Sequence, residues 1–267
     1  MLEARGRVLV IGGSDSGGGA GIQADIKTLT ALGAYAATAI TAVTVQDTHG
    51  VRAVHLLPPD LVEAQARAVL DDIGADAIKI GMIGSAAMAE TVARLLGGAA
   101  TIAAVIDPVM VAKDGRGLLE SGAVKVLRSR LVARAALLTP NAPEAAALTG
   151  LRVETTDDLR RAGEVLLGLG AGAVLMKGGH IAGDRVIDVL MSSAGETSFE
   201  GPRLPTRHTH GTGCTLASAC AAGLAQGLAL DRAVARAWSY TAEAIRRAPG
   251  LGGGHGPLDH AWPMRDR

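Results

Sequence analysis

Short runs of Val and Ile recur along this chain, each followed by a longer stretch with helical spacing. That alternation constrains the fold more than any other feature. VLVIGG (8–13) leads into IQADIKTLTALG (22–33), where Ile22, Ile26, Leu29 and Leu32 fall on one helical face and Gly33 closes the segment. ATAITAVTVQ (37–46) reads as a strand, and PPDLVEAQARAVLDDIG (58–74) as a helix with proline at its start. AIKIGM (77–82) is a strand before a helix reaching about Leu96. VIDPVM (105–110) ends a strand in a loop, and a helix is expected over 120–133. LLTPN (137–141) is a strand end, followed by helical patterns at 143–149 and 156–170. AVLMKGG (173–179), RVIDVLM (185–191) and residues 197–200 read as strands, and helices over 213–228 and 231–247 close the chain. Such an order demands an α/β fold: a mostly parallel sheet covered by helices on both faces, with hairpins at the edge where 173–200 cluster. No repeat or low-complexity linker divides residues 1–267, so one domain is expected.

Composition narrows the partners. Formal net charge is zero with no basic cluster, which argues against nucleic acid or an anionic membrane surface. Only five aromatics occur, Tyr35, Phe199, Trp238, Tyr240 and Trp262, so a flat ligand has few rings to stack on. The two cysteines, Cys214 and Cys220, are spaced along one predicted helix too far apart to bridge, which fits a reducing cytoplasm. MLEARGRVLVIGG carries no secretory signal, and the uncharged runs 28–46 and 209–230 are diluted by Thr, Gly, Gln and Ser. Both are read as core of a soluble protein.

Two glycine-rich stretches precede helices. GGSDSGGGAGIQAD (12–25) contains G-x-G-x-x-A from Gly19 to Ala24, but the strand that follows has no acid before Asp47 and no G-K-[ST] appears. It is therefore neither a dinucleotide fingerprint nor a P-loop. What remains is a backbone loop holding a polar ligand, with Asp15 free to accept a ligand hydroxyl, or a loop that simply needs special backbone angles. THGTGCTLASACAAG (209–223) is the second stretch. Gly211 and Gly213 allow a tight turn, Thr212 or Thr215 can cap the helix, and the exposed N–H groups attract anions. The same field would lower the pKa of Cys214. A phosphate site and an ordinary loop-to-helix junction both fit.

Gln46, Met82, Asp107 with Val109, Asn141 and Lys177 sit at or just beyond the C-terminal ends of separate predicted strands. Ligands of open parallel sheets bind there. Asp107 and Glu144 form a plausible Mg²⁺ pair acting through water, although Glu144 after Pro143 would equally serve the first turn of a short helix. Lys177 can reach a nucleotide phosphate or lie along the sheet edge. His210 reads as structural and Cys220 as core.

Eight blocks in order, GGAGIQADIKTLTALGAY (18–35), TAVTVQDTHGV (41–51), KIGM (79–82), DPVM (107–110), LLTPNAPEAAAL (137–148), MKGGH (176–180), THGTGCTLASA (209–219) and GHGPLDH (254–260), resemble the hydroxymethylpyrimidine/phosphomethylpyrimidine kinases of thiamin biosynthesis, within the ribokinase-like superfamily. The resemblance implies a three-layer α/β/α sandwich, a homodimer, and ATP and Mg²⁺ as cofactors. It places the pyrimidine against Gly13, Ala20, Val45, Gln46, Met82 and Val109. The nucleotide and its metal fall to Asp107, Thr139, Asn141, Glu144, Lys177 and Gly179. In the superfamily's sugar kinases the glycine loop ends in an Asp base; here it ends in Cys214, implied as the acceptor of the substrate hydroxyl proton or else a small residue that shapes the pocket while water or the phosphate takes the proton, with Gly211, Thr212 and Gly213 supplying amides to the moving phosphoryl group. The loop SDSGGGAG lacks the proline that relatives commonly carry after the Asp. Two alternatives stand beside this reading: a pyridoxal or pyridoxine kinase of the same branch, and a binding module that has lost catalysis.

Overall fold

The computed structural model describes residues 6–112 and 115–265. Nine strands form one sheet: β1 (Arg7–Asp15), β2 (Tyr35–Asp47), β3 (Gly50–Leu56), β4 (Ala77–Ile80), β5 (Ala103–Ile106), β6 (Leu137–Leu138), β7 (Ala173–Met176), β8 (Arg185–Ser192) and β9 (Gly195–Pro202). Their spatial order is β3-β2-β1-β4-β5-β6-β7-β8-β9. The six strands from β2 to β7 in that order run parallel, and antiparallel neighbours close each edge. The expected hairpins fall over β7–β9. The hairpin partner β3 has no counterpart in the sequence reading: its alternation is broken by Arg52 and His55, and it gains its ladder only from β2.

Central strands are apolar on both faces because both are covered. Leu9 and Ile11 of β1 pack with α2 (Pro59–Asp72), α3 (Ala86–Gly98), α5 (Ala142–Thr149) and α6 (Thr156–Gly168) in one core cluster. Val8 and Val10 face the other way, towards α1 (Gly21–Ala31), α7 (Thr212–Ala225) and α8 (Leu230–Arg246). Three layers result. Helix starts obey local chemistry: Ser85 caps α3, Asn141 and Glu144 make a reciprocal capping box on α5, and Thr155 and Asp158 make one on α6. The helix expected over 120–133 is composite. α4 (Ser121–Val126) passes into a π turn at Leu127–Leu131 and a 3₁₀ turn at Val132–Arg134.

After β1 the chain adds β2 on one side and β4 on the other, so the connection changes direction at β1. A crevice opens there beyond the strand ends, beside Gly12–Gly13 and Gly81–Met82.

Candidate active site

A cleft of about 1360 Å³ runs across the C-terminal ends of the parallel strands. Ligand pockets usually span about 300–1000 Å³, so it has room for two small molecules side by side. At the β1–β4 end its walls include Gly13, Ala20, Gln46, Met82 and Val109. Towards the middle come Asp107, Asn141, Glu144, Lys177 and Gly179, and above them Gly211, Thr212, Gly213 and Cys214. Parallel strands ending level with one another bring these residues together.

Two expected contacts lie elsewhere. Val45 is 56 % exposed and does not line the cleft, because Thr44 and Gln46 take the inward positions of β2 and alternation sends Val45 outward. Thr139 is fully buried beneath the floor, where its hydroxyl donates to Asp107 Oδ1 (3.2 Å); it acts on Asp107 rather than on a ligand.

The two glycine stretches differ in what they do with their amides. Asp15 is not free to accept a ligand hydroxyl: Gly17 N–H donates to Oδ1 (2.8 Å), while Gly19 N–H (3.1 Å) and Ala20 N–H (2.8 Å) donate to Oδ2. His210 Nε2 lies 2.9 Å from Oδ2 as well. Burial pushes the Asp15 carboxyl up, but the hydrogen bonds from His210, Ala20 and Gly17 outweigh it and hold it below its usual range. The N-terminal loop is thus folded around its own carboxylate. His210 thereby braces the N-terminal loop, and from the cleft wall it also stands 3.2 Å from Gln46 Nε2.

The second stretch turns outward. Gly211 sits at φ +85°, and a Cβ there would collide with the Gly19 carbonyl. Neither expected threonine caps α7: Thr212 Oγ1 donates back to the Thr209 carbonyl (2.8 Å), and Thr215 Oγ1 meets His260 Nε2 (3.0 Å). The N–H groups of Gly213 and Cys214 meet no acceptor among the described residues. A Cβ on Gly213 would approach Lys177 Nζ to 3.3 Å and Asp107 Oδ2 to 3.4 Å, so the start of α7 stands against the charged floor. Unpaired N–H groups, a helix dipole and a lysine converge on one point.

On that floor Lys177 Nζ lies 2.8 Å from Asp107 Oδ1 and 3.7 Å from Glu144 Oε2. Burial pushes Glu144 up to about 7, against the attraction of Lys177 and with the charge of Asp107 adding to the push. Glu144 also receives the Asn141 N–H (2.7 Å), so the first-turn role and the site position belong to the same carboxylate. Among the described residues, no three or more His, Cys, Asp or Glu gather as a metal cage.

The lowered thiol pKa expected for Cys214 is overturned. Packing around the sulfur pushes the thiol up to about 11, and the charges of Asp25 and Asp107 add to this. The Lys79 cation and the Gly21 N–H oppose the shift without cancelling it. Desolvation wins over the helix field. Cys220 is buried and free, as expected of core.

Sequence reasoning missed Lys79 and Asp25. Lys79 is 1 % exposed, and its Nζ donates to both Asp25 oxygens at 2.9 Å. Ser218 Oγ donates to Asp25 Oδ1 at 2.6 Å. The charges of Lys79 and Asp25 act on the Cys214 thiol; a lysine inside an otherwise apolar strand, AIKIGM, was the available signal. Trp238 of α8 lines the far end of the cleft and supplies the ring that composition left unplaced.

A three-layer fold with amides, a lysine and two carboxylates focused on one point of a cleft defines a ribokinase-like phosphotransferase. The chain belongs to the phosphomethylpyrimidine kinase family, whose sequence profile matches residues 15–259. It is 51% identical over 257 residues to the hydroxymethylpyrimidine/phosphomethylpyrimidine kinase of Streptomyces coelicolor, covering 96% of this chain and 95% of that one. The crystal structure of phosphomethylpyrimidine kinase from Clostridium difficile superposes with a TM-score of 0.80 at 40% identity, over 90% of this chain and 99% of that one. Pyridoxal kinase from Staphylococcus aureus, in complex with AMP-PCP and pyridoxal, gives 0.88 at 33% identity, over 97% and 94%. The chain is a kinase.

Proposed function

We infer that this kinase phosphorylates 4-amino-5-hydroxymethyl-2-methylpyrimidine and then its monophosphate, giving the diphosphate used in thiamin biosynthesis. One observation carries the assignment of the chemistry: of two glycine loops, the first spends its amides on Asp15, and the second leaves those of Gly213 and Cys214 open above Lys177 and Asp107. Phosphoryl transfer asks for alignment and charge neutralisation rather than covalent help, and this is what the second loop offers.

Gly211, Thr212, Gly213 and Cys214 hold the phosphoryl group in flight, and Lys177 screens it. The pyrimidine lies between Gly13, Ala20 and Met82, with Gln46 on its polar edge and Val109 closing one side. Met82 Sδ is the atom nearest a Cβ built on Gly13 (3.0 Å), a soft surface where an aromatic is lacking. Asn141 and Gly179 border the nucleotide. Asp107 and Glu144 would hold Mg²⁺, which would bring neutralising charge to the phosphates. Two carboxylates are too few for an all-protein cage but suit an ion that keeps its waters and leans on phosphates.

The protein works in the cytoplasm as a homodimer. Among the described residues no helix is long and apolar enough to cross a membrane, and both cysteines are free. Val43 and Val45 present an apolar outer face on β2 at 46 % and 56 % exposure, fitted to a second copy.

Pyridoxal kinase is the second reading, favoured by the likeness to the S. aureus enzyme. ADP release measured side by side with the pyrimidine alcohol, its monophosphate and pyridoxal decides. Turnover of both pyrimidines is expected; pyridoxal turnover with none on the pyrimidine monophosphate would replace this reading with the second.

A further inference from the structure

The two acceptors make different demands on one site. An alcohol must shed a proton as its oxygen attacks. A phosphate monoester presents an oxygen already largely ionised at neutral pH, its second pKa lying near about 6. What the monoester adds is roughly −1.5 to −2 of charge, brought towards a triphosphate that is itself anionic. The second acceptor therefore needs a cation on its own side of the cleft.

The cleft wall among the described residues takes Lys79 and Lys177 together with Arg203, Arg207 and Arg246; Arg203 donates to the carbonyls of Gly179, Ile181 and Gly183, and Arg246 pairs with Glu243. Lys177 is held by Asp107 and Glu144, on the nucleotide side. Lys79 rises from β4 just ahead of Gly81 and Met82, and a Cβ on Gly81 would come within 2.9 Å of its Nζ. Its ammonium therefore lies under the acceptor end. Asp25 of α1 takes two of its three N–H directions, and the third meets no acceptor among the described residues. Ser218, one turn beyond Cys214 on the same face of α7, pins Asp25 from the other side. Burial works against the charge on Lys79, but Asp25 outweighs it and keeps the lysine cationic.

Stability gives no sufficient reason for the pair, since a buried ion pair is often matched or exceeded by apolar residues of the same volume. A buried ammonium with a donor to spare and a face on the cleft is fitted to an incoming anion, and the dry surroundings strengthen the contact.

We propose that Lys79, oriented by Asp25 and Ser218, binds the phosphate group of the monophosphate acceptor. The proposal rests on the two-acceptor reading above. The step balances without a base. An acceptor phosphate oxygen attacks the γ-phosphorus and a new P–O bond forms. The bond from that phosphorus to the β–γ bridging oxygen breaks, and ADP leaves with its electron pair.

The test compares kcat/KM for the pyrimidine alcohol and its monophosphate in wild type and in Lys79→Met, which keeps the stem and removes the charge. The monophosphate is expected to lose at least ~30-fold more than the alcohol, chiefly through KM, as befits a lost hydrogen bond to a charged group. Equal losses on both acceptors overturn the proposal. A second arm needs no variant to fold: calorimetric titration of nucleotide-free wild type with each acceptor should show the monophosphate binding at least ~10-fold tighter, and equal affinities overturn it. A wild type that phosphorylates only the alcohol sinks the two-acceptor reading and this proposal together. A wild type active on both, with Lys79→Met scaling both alike, sinks the assignment of Lys79 alone.

Discussion

At the residue scale, the decisive contrast lies between two groups that the sequence presents as equals. Asp15 and Cys214 both stand in glycine-rich turns before helices, and both look available for chemistry. Asp15 is consumed by its own loop, with three amides and His210 on its oxygens. Cys214 stays at the cleft, but its thiol rises to about 11, so the resting site holds a thiol and not a thiolate at neutral pH. A proton acceptor works best with a pKa near the operating pH, and this one lies far above it. We propose instead that the sulfur serves as a small, soft wall beside the acceptor. Cys214→Ser keeps the size and is expected to retain kcat on the alcohol within about threefold, whereas loss of a true general base costs ~10²–10⁴-fold. Single-turnover measurement of the alcohol step reads this directly, and a hundredfold fall in the serine variant restores the base.

At the scale of elements, α7 depends on a segment distant in sequence. Its start is stitched to residues 254–260: His210 N–H donates to the Gly256 carbonyl (3.1 Å), Thr215 meets His260, and Tyr240 OH donates to the His260 carbonyl (2.6 Å). His255 N–H in turn donates to the Thr48 carbonyl (2.7 Å), tying the same segment to the β2–β3 turn. The block GHGPLDH, which no chemistry claims, is therefore the strap that ties the start of α7 to the β2–β3 turn. Burial pushes His260 down to about 4, with the charges of Lys27 and His210 adding to the effect. Its folded pKa lies below the unfolded value near 6.5, so the stabilisation is whole above about pH 6.5 and fades as pH falls towards 4. By pH 5 the loss is about 2 kcal/mol. Urea midpoints at pH 7 and pH 5 should separate accordingly in wild type and move together in His260→Asn. An equally steep fall in the variant would place the acid sensitivity elsewhere.

At the scale of the whole molecule, the change of direction at β1 opens one cleft beyond the strand ends, and antiparallel hairpins finish both sheet edges. The outward face of β2 leaves Val43 and Val45 in solvent in the isolated chain. Two valines on one face of an edge hairpin suit self-association. Light scattering after gel filtration should give twice the 27.0 kDa chain mass for wild type and one chain mass for Val43→Asp with Val45→Lys. A monomeric wild type removes the dimer.

Periodicity along the chain was enough for the strand–helix alternation, the layering, the glycine loops and the strand-end residues Gln46, Met82, Asp107, Asn141 and Lys177. These follow from periodicity and from where a parallel sheet must end, which are local properties. It could not decide Lys79, because the partners that turn a strand lysine into a cleft cation lie 54 residues back in Asp25 and, through Asp25, in Ser218 on α7. Nor could it place Val45 and Thr139 off the cleft wall, close Asp15 in its own loop, or raise the thiol of Cys214. Each depends on burial and on neighbours brought from other elements, and desolvation has no signature in a run of letters.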